Sequence, residues 1–106
     1  MIIRTAVLEG EVPVADKAHF DREMTATVLP AIRRYPGIRD VKLRWQAEQE
    51  AGAPPVYLTF DLYFDSLEAM HAALASDIRQ EVRRELGTIM PLFKGRVYHL
   101  ILRQDD

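Results

Sequence analysis

Residues 56–64 read VYLTFDLYF, and this stretch decides the fold. Successive side chains of an extended chain point to opposite faces. Val56, Leu58, Phe60, Leu62 and Phe64 therefore share one face, and Tyr57, Thr59, Asp61 and Tyr63 share the other. The first set is wholly apolar and has to meet a core. The second is aromatic but carries hydroxyls and a carboxylate, so the sheet that holds this strand has one closed face and one of mixed character.

Toward the N terminus, Ile38 to Trp45 alternates in the same way, with Val41, Leu43 and Trp45 opposed to Asp40, Lys42 and Arg44. Between these two strands Gln46 to Pro55 (QAEQEAGAPP) is polar and turn-rich, as a hairpin loop requires. Further back, Phe20, Met24, Val28, Ile32 and Tyr35 recur at helical spacing behind a capping candidate, Asp16, and Pro36-Gly37 closes this first helix. Pro30 inside the pattern has no N–H for the preceding turn, which predicts a kink or break near Ala26. Ile2 to Leu8 is a short first strand, followed by the loop signals Gly10 and Pro13.

Toward the C terminus, Asp65-Ser66-Leu67-Glu68 has the acceptor and the later Glu of a capping box, and Leu67, Met70, His71 and Leu74 mark a helical face. Ser76 or Asp77 restarts the helix with Ile78, Val82, Leu86 and Ile89 as its stripe, and Gly87 and Pro91 end it. Arg96 to Arg103 is the last strand, with Val97, His99 and Ile101 opposed to Tyr98, Leu100 and Leu102. The order β-α-β-β-α-β is the ferredoxin-like split β-α-β pattern, an α+β fold with both helical segments on one face of an antiparallel sheet. Its other face is left uncovered. Tyr57 and Tyr63 on that face favour a second copy of the chain as its cover.

The chain of 106 residues is long enough for a single domain, 1–106, with 48% hydrophobic content to fill one core. Its 14 basic and 16 acidic residues give a net charge of -2, which offers nucleic acid or anionic lipid no long-range attraction. There is no cysteine, so disulfides, thiolate metal sites and thiol catalysis are excluded. The apolar run at Met1-Ile2-Ile3-Arg4 is too short for a signal peptide and no stretch approaches a membrane span, so the expected location is cytoplasmic.

From Leu62 to Leu74 (LYFDSLEAMHAAL), on through Pro91-Leu92-Phe93 and Val97, the chain resembles the EthD family of dimeric α/β-barrel proteins. The likeness extends to Phe20-Asp21 and to Arg33-Arg34-Tyr35-Pro36-Gly37-Ile38. It implies a homodimer whose two sheets face each other around a cavity for a small hydrophobic or aromatic molecule. Members of the family are linked to ether degradation and to small enzymes acting on aromatic or polyketide compounds. One departure bears on mechanism. The family usually has a His two residues before the helix-one Pro, and Val28 stands there in this chain, so a mechanism relying on that His does not carry over.

Asp61 is the first candidate for catalysis, because Asp is disfavoured mid-strand and something has to offset it. One reading makes it a general base on the cavity wall, with Tyr57, Thr59 or Tyr63 holding a substrate oxygen and Lys42 and Arg44 as further ligand contacts on the same face. The other makes it half of a cross-strand ion pair. Two hairpin registers keep the faces matched. One sets Asp61 against Asp40; the other, favoured because it separates the like charges, sets Asp61 against Lys42 and Thr59 against Arg44. His99 is the second catalytic candidate and faces either the helices or the cavity, whichever alternation prevails; its neighbours Val97 and Ile101 suit a histidine packed in a core or interface.

His71 lies three residues after Glu68, a spacing found in helical metal sites, but it lacks partners, and His19 falls in the first turn of helix one. No metal is expected. No glycine-rich phosphate loop or serine nucleophile motif is present, and no cofactor is expected. Three functions compete: a cofactor-independent enzyme, a non-catalytic binding or accessory dimer, and a haem-binding barrel using His71, His99 or Trp45.

Overall fold

The computed structural model describes residues 1–105. Strands β1 (Ile2–Glu11), β2 (Asp40–Trp45), β3 (Val56–Phe64) and β4 (Lys94–Arg103) form one antiparallel sheet in the order β2-β3-β1-β4. Helices α1 (Val14–Glu23), α2 (Leu29–Ile32), α3 (Leu67–Leu74) and α4 (Ile78–Ile89) cover one face. The ferredoxin-like arrangement expected from the order of elements is the one observed.

The core lies between that face and the helices. The whole stripe Phe20, Met24, Val28, Ile32 and Tyr35 is buried, together with Leu58, Phe60, Leu62 and Phe64 from β3. Between α1 and α2 the chain continues as a π-helical segment, Met24–Val28, centred on the residue where Pro30 withholds its hydrogen bond. The Leu29 N–H reaches back to the Met24 carbonyl, so the helix widens by one residue and continues. Widening keeps Met24, Val28 and Ile32 on one side.

Several local expectations are corrected. Asp16 lies in the first turn of α1, behind an N-cap at Pro13, and caps nothing. Ser66 caps α3 by accepting the Ala69 N–H at 3.0 Å, which leaves Asp65 free to accept from Arg39 at 2.6–3.0 Å. Gly87 does not end its helix; α4 runs to Ile89, and a 3-10 turn carrying Pro91 follows at Met90–Leu92. Asp77 is the N-cap residue of α4 but makes no side-chain cap bond.

The largest correction is in β3. The β1–β3 register shifts between Leu8 and Glu9, which pair with Leu58 and Val56, so Tyr57 is an extra residue at a β-bulge. The bulge reverses the alternation beyond it. Tyr57 turns to the helix-covered face and Val56 to the open one, the opposite of strict period-two reading. Next to the bulge Gly10 and Gly95 face each other with φ of +150° and +156°, and a Cβ on either would overlap the backbone of the opposing strand.

Candidate functional site

On the open face β1 contributes Ile3, Thr5 and Val7, β2 Lys42 and Arg44, β3 Thr59, Asp61 and Tyr63, and β4 Tyr98, Leu100 and Leu102. All of these except Lys42 border a trough of about 490 Å³. The hairpin has the register that separates the like charges, Lys42 opposite Asp61 and Arg44 opposite Thr59. The ion pair nevertheless forms on the diagonal. Arg44 Nη1 donates to Asp61 Oδ2, while Thr5, directly across on β1, donates its hydroxyl to Asp61 Oδ1 at 2.7 Å. Lys42 places its ammonium 5.2 Å from the Tyr63 ring centroid instead. Diagonal neighbours lie within reach of a long side chain, and the planar guanidinium fork fits a carboxylate better than an ammonium does. Asp61 is 3% exposed, whereas the Arg44 side chain is 59% exposed, so the pair is a buried carboxylate with a solvent-facing cation.

Tyr57 is separated from this group by the sheet. Its ring packs edge-on against Phe20 at 5.6 Å and Trp45 at 6.2 Å, and its hydroxyl donates to Asp21 of α1 while accepting from Lys17 at 2.9 Å. Desolvation, then the hydrogen bond to Asp21, raises the Tyr57 pKa. The bonds to Tyr57 and Asp21 raise that of Lys17. This cluster fastens α1 to the end of β3.

His99 is also on the helix-covered side, opposite Ala6 of β1. It borders a cavity of about 160 Å³ between the sheet and the helices, whose apolar walls include Ile32, Phe60, Leu62, Val82 and Leu86. Arg4, Tyr35, Arg79 and Arg83 supply its polar lining. Partial desolvation, then the charges of Arg4 and Arg79, lowers the His99 pKa to about 4, although the ring stays reachable from solvent. The imidazole is therefore neutral at pH 7. Desolvation raises the Tyr35 pKa, so its phenol keeps its proton. The two catalytic candidates, Asp61 and His99, thus lie on opposite faces and do not meet. His19 and His71 are exposed, on α1 and α3.

Sequence reading passed over Arg4, Tyr35, Arg79 and Arg83, yet a signal was present. Arg4 shares its strand face with Ile2, Ala6 and Leu8, where a charge needs an explanation, and Arg79 and Arg83 flank Val82 one helical turn apart.

The comparisons with known proteins agree on the fold. An EthD family protein from Bacillus halodurans is 23% identical with a TM-score of 0.79, covering 99% of this chain and 100% of that one. A monooxygenase from Streptomyces coelicolor, in complex with nanaomycin D, is 17% identical at TM-score 0.65, over 99% of this chain and 88% of that one. A dimeric ferredoxin-like protein from a Jannaschia species is 14% identical at TM-score 0.66, over 98% and 100%. No family model and no curated protein matches the chain. At these identities the likeness establishes the ferredoxin-like fold, with the EthD protein among the chains that share it. Among the described residues no helix is long and apolar enough to cross a membrane.

Proposed function

We propose that this chain is a small-molecule-binding protein that works as a homodimer, with the open sheet face as its self-association surface and the helix-side cavity as its ligand site. The cavity carries the reading. It has about 160 Å³ of space, apolar walls, and two neutral polar groups, the His99 imidazole and the Tyr35 phenol. An engineered apolar cavity of about 150 Å³ accepts benzene, so there is room here for one aromatic ring. Such a space does not fit a porphyrin, which removes the support His99 would lend to a haem barrel. Self-association is supported by Leu100 and Leu102, 42% and 47% exposed beside the trough, and by the dimeric neighbour of the same fold.

Chemical-shift mapping with benzamide, joined to light scattering at micromolar concentration, tests both parts. Benzamide is expected to move the signals of Phe60, Val82 and Leu86, to lose its effect in Leu86→Trp, and to bind a dimer. Shifts confined to the open face would overturn the ligand site, and a monomer would overturn the self-association.

A second reading, catalysis at Asp61, is favoured by its burial beside Thr59 and Tyr63. Each carboxylate oxygen already accepts one hydrogen bond, from Thr5 and from Arg44, so a substrate proton has to reach a remaining lone pair of a residue that is 3% exposed.

A further inference from the structure

We propose that the helix-side cavity takes an aryl carboxylate, its ring against Phe60, Leu62 and Val82 and its anionic group on Arg4, Arg79 and Arg83. This rests on the reading of the cavity as the ligand site and adds the charge and chemical class of its occupant.

Three guanidinium groups converge on one small space from two elements. Arg4 reaches it from β1, on the face that packs against the helices, and Arg79 and Arg83 reach it from α4. Like charges one helical turn apart repel each other, and Arg4 brings a third to the same place. Desolvation and the charges of Arg79 and Arg83 lower the Arg4 pKa, the mark of a cation held among cations. Elsewhere several arginines are paired, Arg34 with Glu81, Arg39 with Asp65, Arg44 with Asp61 and Arg96 with Glu9, while Arg22, Arg33 and Arg84 lie exposed to solvent. Among the described residues none of Arg4, Arg79 and Arg83 forms an ion pair with a carboxylate.

An anion in the cavity relieves this repulsion, and a carboxylate matches the guanidinium fork in two parallel hydrogen bonds. The apolar walls select against a bare inorganic anion, which would lose its hydration and gain nothing from Phe60 or Leu62. The size admits one ring, and His99, neutral beside the arginines, adds no charge of its own. A carboxylate attached to an aromatic ring satisfies the charge, the walls and the volume together.

Isothermal titration of the intact protein with benzoate and with benzamide, which have the same shape but differ in charge, tests the assignment. Benzoate is expected to bind about tenfold or more tightly than benzamide, with the preference lost in Arg79→Gln and in Arg83→Gln. Saturation with benzoate, and not with benzamide, should also raise the His99 pKa in an NMR titration, because a bound anion offsets Arg4 and Arg79. Equal affinities would overturn the anionic class and leave the cavity a ligand site. Binding of neither would overturn both. Competition by inorganic phosphate as effective as by benzoate would overturn the aryl part, and a benzoate preference unchanged in both arginine variants would overturn the assignment to these residues.

Discussion

On the open face of the sheet the buried charge is a carboxylate, and this chain supplies its partners: Asp61 is held by Arg44 and Thr5. On the helix-covered face the charges are guanidinium groups, and among the described residues no carboxylate pairs with Arg4, Arg79 or Arg83. Arg4 and Arg79 are half-buried and Arg83 is exposed, so water carries part of the cost that a fully buried, unpaired charge would impose. The two faces differ in how their charge is met. On the open face the buried charge is paired within the chain and β4 leaves Leu100 and Leu102 exposed, whereas the covered face keeps a space with an excess of positive charge.

The largest expected effect tests whether the helix-covered face is the core. Phe60 is buried there at the centre of β3, and Phe60→Ala is expected to destabilise the protein by about 3–5 kcal/mol through lost packing and an enlarged cavity. Glu48→Ala, in the exposed loop, should lie within about 0.5 kcal/mol of the parent. Comparable urea midpoints for the two variants would mean that the faces are exchanged.

A smaller effect separates the ion pair that forms from the one that the strand register suggests. Arg44→Met strands the buried Asp61 carboxylate. A pair buried on both sides would lose about 3–5 kcal/mol, but solvent reaches the exposed Arg44 side, so about 1–3 kcal/mol is expected here. Lys42→Met should cost less than about 0.5 kcal/mol, since its ammonium only overlies the Tyr63 ring. Equal losses would show that Asp61 is shared between the two cations in solution. Asp61→Asn adds the catalytic arm: a fall in turnover of about 100-fold on an identified substrate, with the fold intact, would restore Asp61 as a base.

The pattern of success along the sequence has a physical basis. Period-two alternation located the core face of β3 from Leu58 to Phe64 and the register opposite β2, because hydrophobic matching and charge separation act between directly facing residues. It misplaced Tyr57 and Val56 because a bulge is a property of two strands together, and nothing within VYLTFDLYF announces one. It chose Lys42 over Arg44 because register specifies who is opposite, whereas the length and shape of a side chain decide who reaches diagonally. Arg4 on the apolar face of β1 marks an oddity in the sequence, but the arginine cavity itself is not legible there. Its charges come from positions 4, 79 and 83, which only packing of α4 over β1 brings together.

The smallest expected effect is the pH dependence that the covered face imposes through His99. Arg4, Arg79, Arg83 and Tyr35 are the charged and titratable groups beside it in the cavity, and its folded pKa of about 4 lies below the value of 6.5 for a free imidazole. Well above pH 6.5 the imidazole is neutral in both states and its titration leaves stability unchanged. As pH falls toward 4 the unfolded chain takes the proton first, so stability declines through this window. His99→Gln removes that decline. The stability difference between the variant and the parent should therefore drift in favour of the variant from pH 7 to pH 4, by less than about 1 kcal/mol because the ring is partly solvated. Carboxylates that titrate in the same range are common to both proteins and cancel in the difference. Arg4→Gln, which removes one of the repelling cations, should reduce the drift, whereas Arg44→Met, on the other face, should leave it unchanged. A flat difference from pH 7 to pH 4 would mean that water screens His99 from the arginines, and the contrast between the faces would then rest on geometry alone.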